Sequence, residues 1–121
     1  MKTFFKDLQS GNIVTELVTF SDVGDATTYQ KLKPNTVDAA LEKHVPVVKK
    51  AGNTIIVTVG STLHPMEDAH YITSIYIETS TGGHIANLKP GDKPEATFIL
   101  NEGEEFVAAY EYCNLHGLWK N

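Results

Sequence analysis

The stretch NTIIVTV, residues 53–59, decides how the rest of the chain is read. Ile55, Val57 and Val59 recur at every second position, a period that places all three on one side of an extended strand. YITSIYI (71–77) repeats the pattern with Ile75 and Ile77, and EATFIL (95–100) with Ala96, Phe98 and Leu100. EFVAAYEY (105–112) reads the same way, with Phe106, Ala108, Tyr110 and Tyr112 expected on one side. Between these runs stand KKAGN, TGG, KPGDKP and NEGE, clusters of glycine, proline and asparagine that mark turns. Short strands at this spacing predict an all-β fold of the immunoglobulin-like sandwich type.

The first forty residues are less regular. FFKDLQ suits a helical turn, NIVTELVTF (12–20) a strand, and TVDAALEKH (36–44) a short helix or loop capped by Thr36 or Asn35. At 121 residues the chain has room for one ordinary domain, and KLKPN (31–35) is the candidate boundary between a short amino-terminal extension, 1–34, and a sandwich, 35–121.

Composition narrows the function. The net charge is −5 and all ten basic residues are lysines, so no guanidinium is present for bidentate contacts with phosphate or guanine, and nucleic acid is excluded as an expected partner. No apolar run approaches the roughly 18 residues of a membrane span, and MKTFFKDLQSG lacks the apolar stretch of a secretory leader. With a single cysteine no internal disulfide can form, and a cytoplasmic location follows as the expectation.

That cysteine, Cys113, lies three residues before His116 in YCNLHGLWK (112–120), close enough for one turn to bring both side chains to one metal ion. The other histidines are His44, before a proline that fixes the chain as extended, His64 and His70 at the two ends of HPMEDAH, and His84 after a glycine turn. His84 has no such company and reads as structural. Each of the others, taken alone, is as easily a solvated side chain. Taken together, four histidines and a thiol at loop and strand ends form a large set of good ligands. Structural zinc takes four, one fewer than this set, and blue copper wants a methionine shortly after the histidine, which is missing here. Five such ligands suit a square-pyramidal iron with four imidazoles in the base, the thiolate at the apex and a position open opposite the sulfur.

NTVDAALEKHVPVV (35–48), VGSTLHPMEDAHYI (59–72), LKPGDKPEATF (88–98) and YCNLHGLWK together resemble the superoxide reductases, the catalytic domain of desulfoferrodoxin and neelaredoxin. The likeness runs from Asn35 to Lys120 in order and spacing. It implies one mononuclear non-haem iron per chain, held by His44, His64, His70 and His116 with Cys113 axial. It also implies two roles for the EKH block: Glu42 as a reversible sixth ligand of the oxidised iron and Lys43 as a cation beside the open position. Superoxide would be the substrate, hydrogen peroxide the product and a rubredoxin-like protein the electron donor, in a homodimer or higher homo-oligomer. The physical reading agrees, since four neutral imidazoles and one thiolate leave a ferrous ion with a net charge of about +1, attractive to an anion. Because the whole chain is acidic, steering would need a local patch including Lys43, Lys49, Lys50 and Lys120. SGNIVTELV (10–18) resembles part of the small desulforedoxin-like domain that precedes the catalytic domain in desulfoferrodoxins, with every cysteine gone, so segment 1–34 reads as its vestige, without metal ligands. Two other readings use the same residues: a non-catalytic iron- or zinc-binding sandwich, and an immunoglobulin-like interaction domain with no metal.

Overall fold

The computed structural model describes residues 2–21 and 28–121; part of the extension read as 1–34 therefore lies outside the described residues. The chain divides into two compact units, Met1–Lys33 and Pro34–Asn121.

The first unit carries a three-stranded antiparallel sheet of β1 (Phe4–Asp7), β2 (Ile13–Thr15) and β3 (Tyr29–Lys31), with β1 in the centre. The helical turn expected at FFKDLQ is thus a strand. Phe4 and Phe5 pair with Thr15 and Val14, and the turn chemistry falls just afterwards: the Asp7 carboxylate accepts from the Gln9 N–H and the Ser10 hydroxyl. That polar cluster turns the chain back into β2.

In the second unit a single helical turn, α1 (Leu41–His44), precedes seven strands: β4 (Pro46–Ala51), β5 (Thr54–Val59), β6 (Ile72–Thr79), β7 (Gly82–Asn87), β8 (Glu95–Ile99), β9 (Phe106–Cys113) and β10 (Gly117–Lys120). They form a three-stranded sheet, β4-β5-β8, and a four-stranded sheet, β10-β9-β6-β7, antiparallel throughout. Ile55, Val57 and Val59 of one sheet and Ile72, Ile75 and Ile77 of the other are at most 1% exposed and share one core with Ala96, Phe98 and Leu100. The all-β, immunoglobulin-like sandwich read from period-two alternation is the fold observed.

One face assignment fails. Phe106, Ala108, Tyr110 and Tyr112 do not share a side. Phe106 pairs with Thr79 but Ala108 with Glu78, so Val107 is an extra residue in β9 and shifts the alternation by one. Beyond this bulge Ala109, Glu111 and Cys113 take the side of the inward-facing Ile77, Ile75 and Ile72 with which they pair, and Tyr110 turns to the outer face, where its hydroxyl meets Glu78. A second bulge, at Thr73, keeps Ile72 and Ile75 both inward although they are three residues apart.

α1 is too short to be stable alone. Neither Thr36 nor Asn35 caps it; its N-cap is Ala40, with no side-chain hydrogen bond. Asn35, at φ 62°, instead clamps β10: its amide donates to the Lys120 carbonyl at 3.0 Å and its Oδ1 accepts from the Lys120 N–H at 2.7 Å. The helical turn is held from outside, because Thr62 N–H donates to the Glu42 carbonyl at 3.0 Å and Gly60 N–H to that of Val45 at 3.3 Å. It stops where Pro46 excludes the helical conformation for Val45, which adopts φ −69° and ψ 124°. Among the described residues no helix is long and apolar enough to cross a membrane.

Candidate metal centre

His44 ends α1, His64 and His70 bound the loop between β5 and β6, and Cys113 and His116 flank the turn from β9 to β10. These segments leave one end of the sandwich and converge. One donor atom from each of His44, His64, His70 and Cys113 lies within 4.8 Å of every other. His116 joins through Nδ1, which is 3.1 Å from His44 Nε2 and 3.9 Å from Cys113 Sγ. All five residues singled out in the sequence therefore meet.

The four rings stand in a cycle. Neighbouring centroids are 4.7 Å (His44–His64), 4.6 Å (His64–His70), 5.0 Å (His70–His116) and 4.9 Å (His116–His44), each pair close to edge-on, at 77–87°. Across the cycle His44 and His70 are 6.3 Å apart and only 30° from parallel. A tetrahedral set would make every pair equivalent; a longer diagonal with near-parallel rings is the pattern of a square.

Hydrogen bonds fix which nitrogen faces inward. His44 Nδ1 bonds the Ala40 carbonyl and His64 Nδ1 the Pro65 carbonyl, both at 2.7 Å, so each Nδ1 carries the proton and each Nε2 keeps its lone pair for the centre. The two Nε2 atoms are 3.2 Å apart, near the ~3 Å separation of adjacent nitrogens around an ion with metal–nitrogen bonds of about 2.1 Å. His70 Nε2 is buried and has no hydrogen-bond partner among the described residues, a cost of about 1–3 kcal/mol unless something accepts its lone pair. Trp119, fully buried, closes the inner wall: its ring stacks on His44 at 4.9 Å and its indole N–H donates to the His116 carbonyl at 3.0 Å.

Burial pulls His64 down to about 4 and lowers His44 and His70 as well, so these imidazoles are neutral ligands at neutral pH. Burial pushes the Cys113 thiol up, partly offset by the N–H groups of His116 and Leu115 that face the sulfur. A metal ion would remove that thiol's proton. Soft sulfur and imidazole nitrogens fit a divalent transition ion far better than calcium or magnesium, which take oxygen ligands.

Glu42 and Lys43 are exposed on α1. The Lys43 charge is felt at both His44 and His70, and that of Glu42 at His44. Of the lysines named for a steering patch, Lys50 lies elsewhere: it stands 5.0 Å over the Phe106 ring, at the opposite end of β9 from Cys113, roughly 20 Å away along the strand.

His84 stands in β7, outside the donor cluster, and bonds Glu104 at 2.9 Å. Glu111 was missed by sequence reasoning, since strict alternation turns it outward. It is 1% exposed, neither carboxylate oxygen has a hydrogen-bond partner among the described residues, and burial raises its carboxyl well above the usual range. Its charge also acts to raise Cys113. Only the Val107 bulge brings it inward, and no local sequence signal marks that bulge.

Residues 36–121 match the desulfoferrodoxin family model. The desulfoferrodoxin of Syntrophotalea carbinolica is 52% identical over 90 residues, covering 74% of this chain and 70% of its own. That of Nitratidesulfovibrio vulgaris is 43% identical over 120 residues, covering 96% of this chain and 92% of its own. The crystal structure of the superoxide reductase from Treponema pallidum superposes with a TM-score of 0.81 at 35% identity, covering 100% of this chain and 98% of that one.

Proposed function

The chain belongs to the desulfoferrodoxin family, and from that premise we propose that it is a superoxide reductase, converting superoxide to hydrogen peroxide at one mononuclear iron. The observation that carries the proposal is the square of four imidazoles with a buried thiol beside it. Iron held there would supply one electron per turnover, so that superoxide, one electron and two protons give hydrogen peroxide.

The rest belongs to this chain's own residues. His44, His64 and His70 through Nε2, and His116 through Nδ1, would hold the metal together with Cys113, which would bind as thiolate. Lys43, whose charge reaches His44 and His70, would attract the anion and orient it; Glu42, on the same turn, would serve as the reversible sixth ligand. Trp119 and the core keep water from the inner side. The electron donor would be a rubredoxin-like protein. With Cys113 the chain's only cysteine, the first unit would be a desulforedoxin-like remnant without a metal. Its side chains Leu17 and Phe20, 100% and 94% exposed, support a homo-oligomer.

The deciding measurement is metal content with a visible spectrum. One iron per chain, and a band that appears on oxidation and vanishes on reduction, is expected from thiolate-to-iron charge transfer, followed by consumption of superoxide without evolution of oxygen. Zinc and no visible band, in protein expressed with ample iron, would instead mark a non-catalytic metal module.

A further inference from the structure

Asn114 follows Cys113 directly and is exposed, so it reads at first as an ordinary turn residue. Its contacts say otherwise. Its Oδ1 accepts from the Tyr71 N–H at 2.9 Å, its side-chain amide donates to the Ala69 carbonyl at 3.1 Å, and its own N–H donates to the Tyr71 carbonyl at 3.2 Å. Every polar partner named here lies on one of the two residues flanking His70, more than forty positions away in the chain.

His70 needs such help more than its neighbours do. The rings of His44 and His64 are each locked by a bond from Nδ1 to a carbonyl. Among the described residues no bond of this kind holds the His70 ring, whose buried Nε2 has no partner. His70 is also only half-buried, whereas His44 and His64 are 2% and 3% exposed, so packing confines it less. Its orientation is therefore set by its backbone. The Glu67–His70 bridge, with N–H···O distances of 2.9 and 3.0 Å, fixes that backbone within its own loop. The ladder pair Ile72–Cys113 and the bond from Thr73 Oγ1 to the Tyr112 carbonyl hold the chain after His70 to β9; the Asn114 bonds reach the residues on both sides of His70 itself.

We propose that Asn114 is a positioning residue for the metal centre: its carboxamide grips the main chain on both sides of His70 and so sets the place of that imidazole relative to Cys113. The proposal rests on the reading of the cluster as a metal site. Each bond is exposed and weak alone, but the three act together on one short segment, and the residue that bears them is bonded to the thiol-bearing residue itself. A carboxamide is suited to this because it offers a donor and an acceptor side by side, matching one C=O and one N–H two residues apart.

The test uses full-length protein loaded with one ferrous iron per chain, and compares wild type with Asn114→Ala, Asn114→Gln and, as control, Ser80→Ala. The control removes an exposed bond, Ser80 Oγ to the Glu105 N–H at 2.9 Å, beyond the other end of β6. Iron release into excess ferrous chelator is expected to be 10- to 100-fold faster in Asn114→Ala, the usual effect of losing an outer partner of a metal ligand, and unchanged in Ser80→Ala. In metal-free protein the Tyr71 amide should exchange faster in Asn114→Ala. Asn114→Gln, which keeps the amide but moves it by one methylene, should still fold and should also release iron faster. Wild-type release rates in both Asn114 variants, or the same acceleration in Ser80→Ala, would overturn the proposal. A wild-type chain that takes up no metal would overturn the underlying reading instead, and would be evident before any variant is made.

Discussion

Replacing Gly60 by alanine should damage the centre from behind. Gly60 ends β5 at φ +86°, and a Cβ there would stand 2.2 Å from the Thr62 carbonyl oxygen, 2.8 Å from that of Glu42 and 2.9 Å from Lys43 Cα. All three are main-chain atoms, so none can rotate aside, and two belong to α1, which carries Glu42, Lys43 and His44. Gly52, in the β4–β5 turn at φ +61°, has nothing within 4 Å of the same imagined atom. Gly52→Ala therefore meets only the backbone cost of a left-handed alanine, about 1 kcal/mol after the loss of unfolded-state freedom is credited. Gly60→Ala carries that cost plus the work of pushing two backbone segments apart, for a total of about 3–4 kcal/mol. At roughly 3–6 °C per kcal/mol for a chain of this size, thermal unfolding of the metal-free proteins should place Gly60→Ala roughly 10–20 °C below wild type and Gly52→Ala only a few degrees below. Iron release should be faster in Gly60→Ala, because His44 moves with α1, and unaltered in Gly52→Ala. Equal losses in the two variants would refute the reasoning, showing that the contact under α1 relaxes without cost.

Four other outcomes are expected. Cys113→Ser should abolish the visible band of the oxidised protein and most superoxide reduction, since a hydroxyl is a harder, poorer donor than thiolate; a retained band would remove Cys113 from the ligand set. Lys43→Ala should slow the second-order reaction with superoxide about 3- to 10-fold and flatten its dependence on ionic strength, with iron content unchanged; a rate equal to wild type would make Lys43 an ordinary surface lysine. Because Cys113 is held protonated and His44, His64 and His70 neutral, metal uptake at neutral pH should release about one proton per ion into a weakly buffered indicator solution, and none from Cys113→Ser. Glu104 is held at about 2, against an ordinary 4.5, by the Thr79 hydroxyl, the Asn101 N–H and the His84 ring. A lowered acid contributes stability above its unfolded value and loses it as pH falls through the folded one. Glu104→Gln should therefore unfold more readily than wild type at neutral pH, and the two melting curves should converge as the pH is lowered from about 4.5 to about 2.

The sequence by itself determined the class of fold and singled out the side chains that cluster at one end of it. Alternation at Ile55, Val57 and Val59, and at Ala96, Phe98 and Leu100, is a local consequence of burying one face of a strand, and needs no knowledge of the partner sheet. The five candidate ligands were legible for a similar reason: histidine and cysteine are rare here, and their placement at segment ends is visible along the chain. Tertiary structure decided what depends on registration between segments. The bulge at Val107 is defined only by the partner strand β6, yet it turns Tyr110 outward and brings Glu111 and Cys113 in. Phe4–Asp7 of FFKDLQ is a strand because β2 and β3 flank it, outweighing a local pattern equally suited to a helical turn. The square of imidazoles, Gly60 beneath α1 and Asn114 across His70 likewise join residues far apart in the chain, and such distances exist only once the two sheets have closed on their core.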